Sequence, residues 1–209
     1  MEAIFLEGKS IYLRLPCKED LPLLLRWIND QEILKYIVNY LPMSEEAESK
    51  WIEKTTSNLR EEITFVIVLK RTNESNISER RDQKVRLTDM PIGTLGLHKI
   101  NWRNLTAETG ALIGEKEYWG KGYGTEAKML LLNYCFNTLG LHKICSSAIS
   151  YNKRSIAYQK KTGAVVEGKR KKQLFRDGDY HDEILLAIFA DTWRKIWKKE
   201  KSKYLKVTE

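Results

Sequence analysis

Nothing in these 209 residues supplies a membrane span: apolar runs such as Met129–Leu132 stay far below the roughly 20 residues needed to cross a bilayer. The opening stretch MEAIFLEGKSIYL begins acidic and has no basic segment leading into an apolar one, so no signal peptide is expected. Cysteine is scarce. Cys17, Cys135 and Cys145 are odd in number and scattered, without metal-ligand spacing. That argues against a disulfide framework and leaves reduced, mostly buried thiols of a cytoplasmic protein as the expectation. No internal repeat is visible. Acidic residues are also in deficit: 28 Asp and Glu stand against 36 Lys and Arg, for a formal charge of +8. Such a balance favours an anionic ligand or partner, and by itself does not choose among nucleic acid, ribosome, membrane surface and phosphorylated cofactor.

What is present suits one globular domain over residues 1–209, with 42% apolar and 10% aromatic residues. The pattern predicts a strand at Ser10–Pro16, a helix over Lys18–Asp30 and a helix from the cap Ser44 to about Asn58. Strands are expected at Ile63–Lys70, Pro91–Asn101 and Thr106–Gly114, the last with Gly110 marking a close backbone approach. Residues Arg71–Met90, polar and charged, read as a long exposed loop. A helix then runs to about Leu139 before Gly140, followed by a strand at His142–Ser150 and a helix from Asn152 to Gly163. Two strands joined by the turn RDGD (Arg176–Asp179) come next, and a basic helix over 191–206 ends the chain. This order is mixed α/β. The last helix places Trp193, Ile196 and Trp197 near one face, so it is expected to pack on its own domain rather than on a membrane or nucleic acid.

The stretch YWGKGYGTEA (Tyr118–Ala127) puts glycines at 120, 122 and 124 directly before an apolar run. A phosphate-binding P-loop would continue Gly-Lys-Ser/Thr, and a dinucleotide turn needs Gly-x-Gly-x-x-Gly; neither spacing occurs here. Bare backbone at a helix entrance still favours an anion, because the first-turn N–H groups have no partner within the helix.

From Thr106 to Ala187 the chain resembles the GNAT superfamily of acyl-CoA-dependent N-acetyltransferases. WGKGYG (Trp119–Gly124) is similar to that family's Gln/Arg-x-x-Gly-x-Gly/Ala loop, with Trp119 where glutamine or arginine is usual. NKRSIAYQKKTGA (Asn152–Ala164) resembles its asparagine–tyrosine–glycine helix, with Ala164 replacing a usual phenylalanine, and AETGALI resembles a strand that often carries a glutamate. The ending FRDGDYHDEILLAIF also looks like the branch holding ribosomal-protein N-terminal and spermidine/spermine acetyltransferases.

The resemblance implies a GNAT fold, with a mixed, mostly antiparallel sheet and helices on both faces. It implies acetyl-CoA as cosubstrate and no metal. Trp119, Gly120, Lys121, Gly122, Tyr123, Gly124 and Thr125 would ring the pyrophosphate, with Asn152, Arg154 and Ser155 on the cofactor as well. Lys153 is an alternative to Arg154 for the 3′-phosphate. The strands beginning near Thr106 and His142 would splay to admit pantetheine. Tyr158 would protonate the leaving thiolate, and Glu108 is the candidate base, with His98 and His142 behind it. The acceptor is a primary amine, either a small molecule such as a polyamine or a protein N-terminus. Its pocket would come from the two N-terminal helices and the hairpin near Asp177–His181. A homodimer is compatible; direct nucleic-acid binding and a membrane partner are not expected. A non-catalytic acyl-CoA-binding or ribosome-associated module is the alternative.

Overall fold

The computed structural model describes residues 3–70 and 89–205. Eight strands among them form one sheet: β1 (Leu6–Glu7), β2 (Ile11–Arg14), β3 (Ile63–Leu69), β4 (Met90–Asn101), β5 (Thr106–Ile113), β6 (Lys143–Ile149), β7 (Val165–Arg176) and β8 (Asp179–Phe189). Their spatial order is β1-β2-β3-β4-β5-β6-β8-β7. Only β5 and β6 run parallel; the other neighbours are antiparallel. The helices are α1 (Leu21–Ile28), α2 (Gln31–Leu34), α3 (Glu45–Ser57), α4 (Tyr123–Asn133), α5 (Lys153–Lys161) and α6 (Ala190–Glu200).

Local chemistry explains most boundaries. The Ser44 hydroxyl accepts from Ala47 N at 3.2 Å and starts α3. Asn152 Oδ1 accepts from Ser155 N at 3.0 Å and starts α5, which Gly163 ends at φ +100°. The β7–β8 hairpin turns on Asp177 and Gly178, at φ +50° and +88°, the double positive φ of a tight hairpin. Two apolar clusters divide the helices. One joins β2, β3, β4, α4 and α6 around Phe65, Leu131, Phe136 and Trp193. The other gathers Leu24, Trp27, Ile33 and Ile52 of α1, α2 and α3, and meets the sheet through Leu112.

Several sequence expectations need correction. The short β1 and α2 have too few residues to show a period. The helix entered at Tyr123 ends as α at Asn133 and continues as a π-type turn over Tyr134–Thr138 before Gly140. β7 extends through Arg176, because its polar residues pair with β8 rather than with a buried face. Of the loop expected at Arg71–Met90, residues 71–88 lie outside the described residues, and Met90 already belongs to β4. The C-terminal tryptophans pack inward: Trp193 and Trp197 are buried and stacked 5.2 Å apart.

One core residue is out of character. Lys128 of α4 is 0% exposed, and its Nζ has no hydrogen-bond partner among the described residues. Burial lowers its pKa from 10.5 to about 7, and the adjoining Cys135 thiol is pushed up to about 12 by the same burial. Between pH 7 and 10.5 the unfolded chain therefore holds more protons at this position, so stability rises with pH across that window. Lys128→Met, matched in length and apolar, is expected to raise stability at neutral pH by about 1–3 kcal/mol. It should also flatten the alkaline rise in denaturant midpoint; a lower midpoint than wild type would contradict this account.

Candidate functional site

β5 and β6 pair for three residues and then part. Thr106, Ala107 and Glu108 oppose Lys143, Ile144 and Cys145, and beyond them no register continues. Each strand stays held on its outer side. β5 pairs with β4 as far as Ile113, and β6 pairs with β8 as far as Ile149. A cavity of about 640 Å³ occupies the opening, with Thr109, Gly110 and Ala111 on one wall and Ser147, Ala148 and Ile149 on the other. Gly110 leaves that wall low: an added Cβ would meet His98 Nε2 at 3.7 Å.

The same cavity reaches the glycine turn, where Gly120, Gly122, Gly124 and Thr125 line it. Gly120 and Gly122 adopt φ +76° and +93°, a region side chains rarely occupy, although space around both is open. The requirement is conformational, not steric. Gly122 O accepts from Thr125 N and Glu126 N at 3.0 Å, turning the chain into α4. Among the described residues no group accepts from the N–H groups of residues 120–124. Five amide donors at a helix entrance form an anion site ready for use.

Trp119 now explains itself. Its indole N–H donates to Ile113 O at 2.7 Å, tying the turn to the end of β5. Its ring carries the Arg154 guanidinium at 3.8 Å, with Tyr36 on the same cation at 5.5 Å. The aromatic ring thus holds an arginine beside the turn, although arginine is missing from the loop itself. Asn152 and Ser155 line the cavity from α5, as does Lys161, which sequence reasoning passed over. Lys121 and Tyr123 do not line it: the Lys121 ammonium lies 5.2 Å from the Tyr118 ring, which also packs against Tyr123. They can contribute backbone N–H groups only. Lys153 is exposed and outside the lining.

Tyr158 lines the cavity from α5, its hydroxyl free of hydrogen bonds among the described residues, and burial raises its pKa above the ordinary phenol value. Glu108 is not brought to the cavity. It opposes His98 across the β4–β5 pair, but its carboxylate is turned to Lys99 at 3.0 Å, exposed and outside the lining. His142 is exposed as well. His98 does line the cavity, and its Nδ1 lies 3.0 Å from Glu62 Oε1. The pairing of β3 with β4 sets Glu62 beside His98 across 36 residues of sequence, a relation no local pattern carries.

The end of the cavity away from the glycine turn is mostly apolar. α1, α2 and the segment after it contribute Ile28, Ile33, Tyr36, Ile37 and Val38, and α3 and β7 add Trp51 and Leu174. The Arg176 guanidinium pins the hairpin to this segment, donating through Nη2 to Ile37 O at 2.9 Å and Val38 O at 3.3 Å.

The acetyltransferase (GNAT) domain profile matches residues 10–165, a span that holds the strand wedge, the glycine turn and Tyr158. The chain belongs to the GNAT family. An uncharacterized N-acetyltransferase of Bacillus licheniformis is 31% identical over 75% of this chain and 78% of its own length. A putative ribosomal N-acetyltransferase of Bacillus subtilis is 33% identical over 48% of this chain, and spermidine N(1)-acetyltransferase of Escherichia coli is 34% identical over 46%. These two matches span 55% and 52% of the relatives' own lengths, about half of each. Spermidine N-acetyltransferase from Vibrio cholerae, solved with CoA and spermine, superposes with a TM-score of 0.74 at 23% identity, over 88% of this chain and 98% of that one. At that identity the likeness is one of fold. The mixed sheet expected from the resemblance is the sheet observed.

Gly122→Val in this GNAT domain forces a branched side chain to φ +93°. A strain of about 1–2 kcal/mol is expected, and it should weaken CoA binding in a calorimetric titration by about tenfold. Unchanged affinity would show that the turn does not hold the ligand.

Proposed function

We propose that the protein transfers an acetyl group from acetyl-CoA to a primary amine by direct attack. One observation carries this reading: a single cavity runs from five unpartnered backbone donors, through the gap between β5 and β6, to a free phenol and a carboxylate-held imidazole. The turn at 120–124 suits a pyrophosphate, and Arg154 with Lys161 supplies positive charge for further phosphate. The unpaired edges of β5 and β6 suit an extended amide-bearing arm. Acetyl-CoA provides the activated thioester carbonyl.

The chain's own groups divide the proton work. With Nδ1–H donated to Glu62, His98 keeps Nε2 as an acceptor and takes a proton from the incoming amine. Glu62 fixes that tautomer and stabilises the imidazolium, a positioning role. Tyr158, kept protonated by burial, gives its proton to the departing sulfur as the C–S bond breaks. The base assigned here is therefore His98 in place of Glu108.

Tyr158→Phe is expected to lower kcat by about 100-fold with CoA affinity unchanged. His98→Gln should lower kcat/KM for the amine by about 100-fold. Glu62→Gln should reduce kcat about tenfold without altering KM for acetyl-CoA, and adding it to His98→Gln should cost little more. Free-thiol release measures all three. Binding of acetyl-CoA with no turnover on any amine would leave only a CoA-binding module, and an undiminished kcat/KM in His98→Gln would dismiss the histidine.

A further inference from the structure

Resting on the acetyltransferase reading, we infer that the acceptor site takes a single amine carried on an apolar body and rejects amines bearing a second positive charge. A polyamine carries several ammonium groups, and each one removed from water needs a carboxylate to pair with. Among the described residues, the acceptor end of this cavity offers none that is free. Its walls are Ile33, Tyr36, Ile37, Val38, Trp51 and Leu174. Glu183 is the one carboxylate among the lining residues, and Arg170 holds it at 3.0 Å.

Of the described acids nearby, Glu62 is bound to His98, Asp30 and Glu32 share Lys116, and Glu115 pairs with Arg26, while Glu48 of α3 is buried outside the lining, where burial holds its carboxyl above the usual range. Asp177 and Asp179 sit on the exposed hairpin turn, outside the lining. The charge that does stand at the mouth is positive. Arg176 donates through Nη1 and Nη2 to the carbonyls of Phe175, Ile37 and Val38, with no bound carboxylate among the described residues. A second ammonium at the far end of a long acceptor would therefore meet this guanidinium and an apolar wall together. The apolar surface also continues outward through Tyr40, Leu41, Phe175 and Tyr180, all more than half exposed.

The test compares hexylamine with hexamethylenediamine, which share a chain and differ in one terminal ammonium. With acetyl-CoA saturating, kcat/KM for hexylamine is expected to exceed that for the diamine by about tenfold or more. Calorimetric titration of the CoA-saturated protein with each amine should give the same order without any chemistry. Val38, 81% exposed and on the cavity wall, allows a charge to be added with little risk to folding. Val38→Glu should shift the ratio toward the diamine. Equal treatment of the two amines in titration, or a preference for the diamine, overturns this inference and leaves the acetyltransferase reading intact. Ordered amine binding with no acetyl transfer would instead uphold the acceptor preference and sink the enzyme reading.

Discussion

Backbone N–H and C=O groups removed from water must be paired. The separation of β5 from β6 is where this chain leaves that requirement open. Past Glu108 and Cys145, two strands face a shared gap with their inner edges unpaired. Closure is prevented because each strand is committed on its other side, β5 to β4 along its length and β6 to β8 along its length. The departures at the open end reinforce this. β5 leads into a turn anchored by the Trp119 indole on Ile113 O, and β6 leads into the Asn152 cap of α5. The wedge is thus maintained by the sheet, and an extended ligand arm can complete the pairing without rearranging it. Preorganisation of this kind lowers the cost of binding.

Electrostatics follow from the same geometry. A formal charge of +8 says only that an anion is welcome somewhere. In the structure, positive potential concentrates at two places along one cavity. At the glycine turn it comes from amide donors, Arg154 and Lys161, and suits phosphates. At the acceptor mouth it comes from Arg176, whose donors go to carbonyl oxygens rather than to an acid. On the proposed reading, the first concentration meets the cosubstrate and the second bears on which amine enters.

The parts of this site that could be read from sequence are those built by neighbours in the chain. Three alternating glycines before an apolar run, an asparagine three residues ahead of a free N–H, and Asp-Gly between two strands each have a local cause. Their structural forms agree with that cause: positive φ at Gly120 and Gly122, the Asn152–Ser155 bond, and the Asp177–Gly178 turn. What stayed hidden depends on register between distant strands. Glu108 opposes His98 only through the β4–β5 register, and only the β3–β4 register reveals that Glu62 stands beside the histidine. The stacking of Arg154 on Trp119 joins two motifs 35 positions apart, and neither residue type alone predicts it. Lys128 is the sharpest failure of pattern reading. A lysine within an apolar helix is expected to reach water, and here α4 is enclosed on the side from which it projects.

The separation of duties along the cavity explains why family membership and acceptor identity are different questions. The wedge, the glycine turn and Tyr158 come from the central sheet and its two following helices. The walls at the far end come from α1, α2, α3 and the β7–β8 hairpin; an apolar cluster joins the helices, and Arg176 and the Tyr151 hydroxyl tie the hairpin and the end of β6 to α2 and the segment after it. Surface segments of this kind can change composition without disturbing the sheet. On the proposed reading, a carboxylate gained or lost there would alter which amine is stable at the mouth and leave the thioester chemistry further in alone. Likeness to a spermidine enzyme at 23% identity therefore carries the wedge across and leaves the mouth to be judged on its own charges. In this chain the described lining charges there are an arginine bound to carbonyl oxygens and a glutamate paired with Arg170.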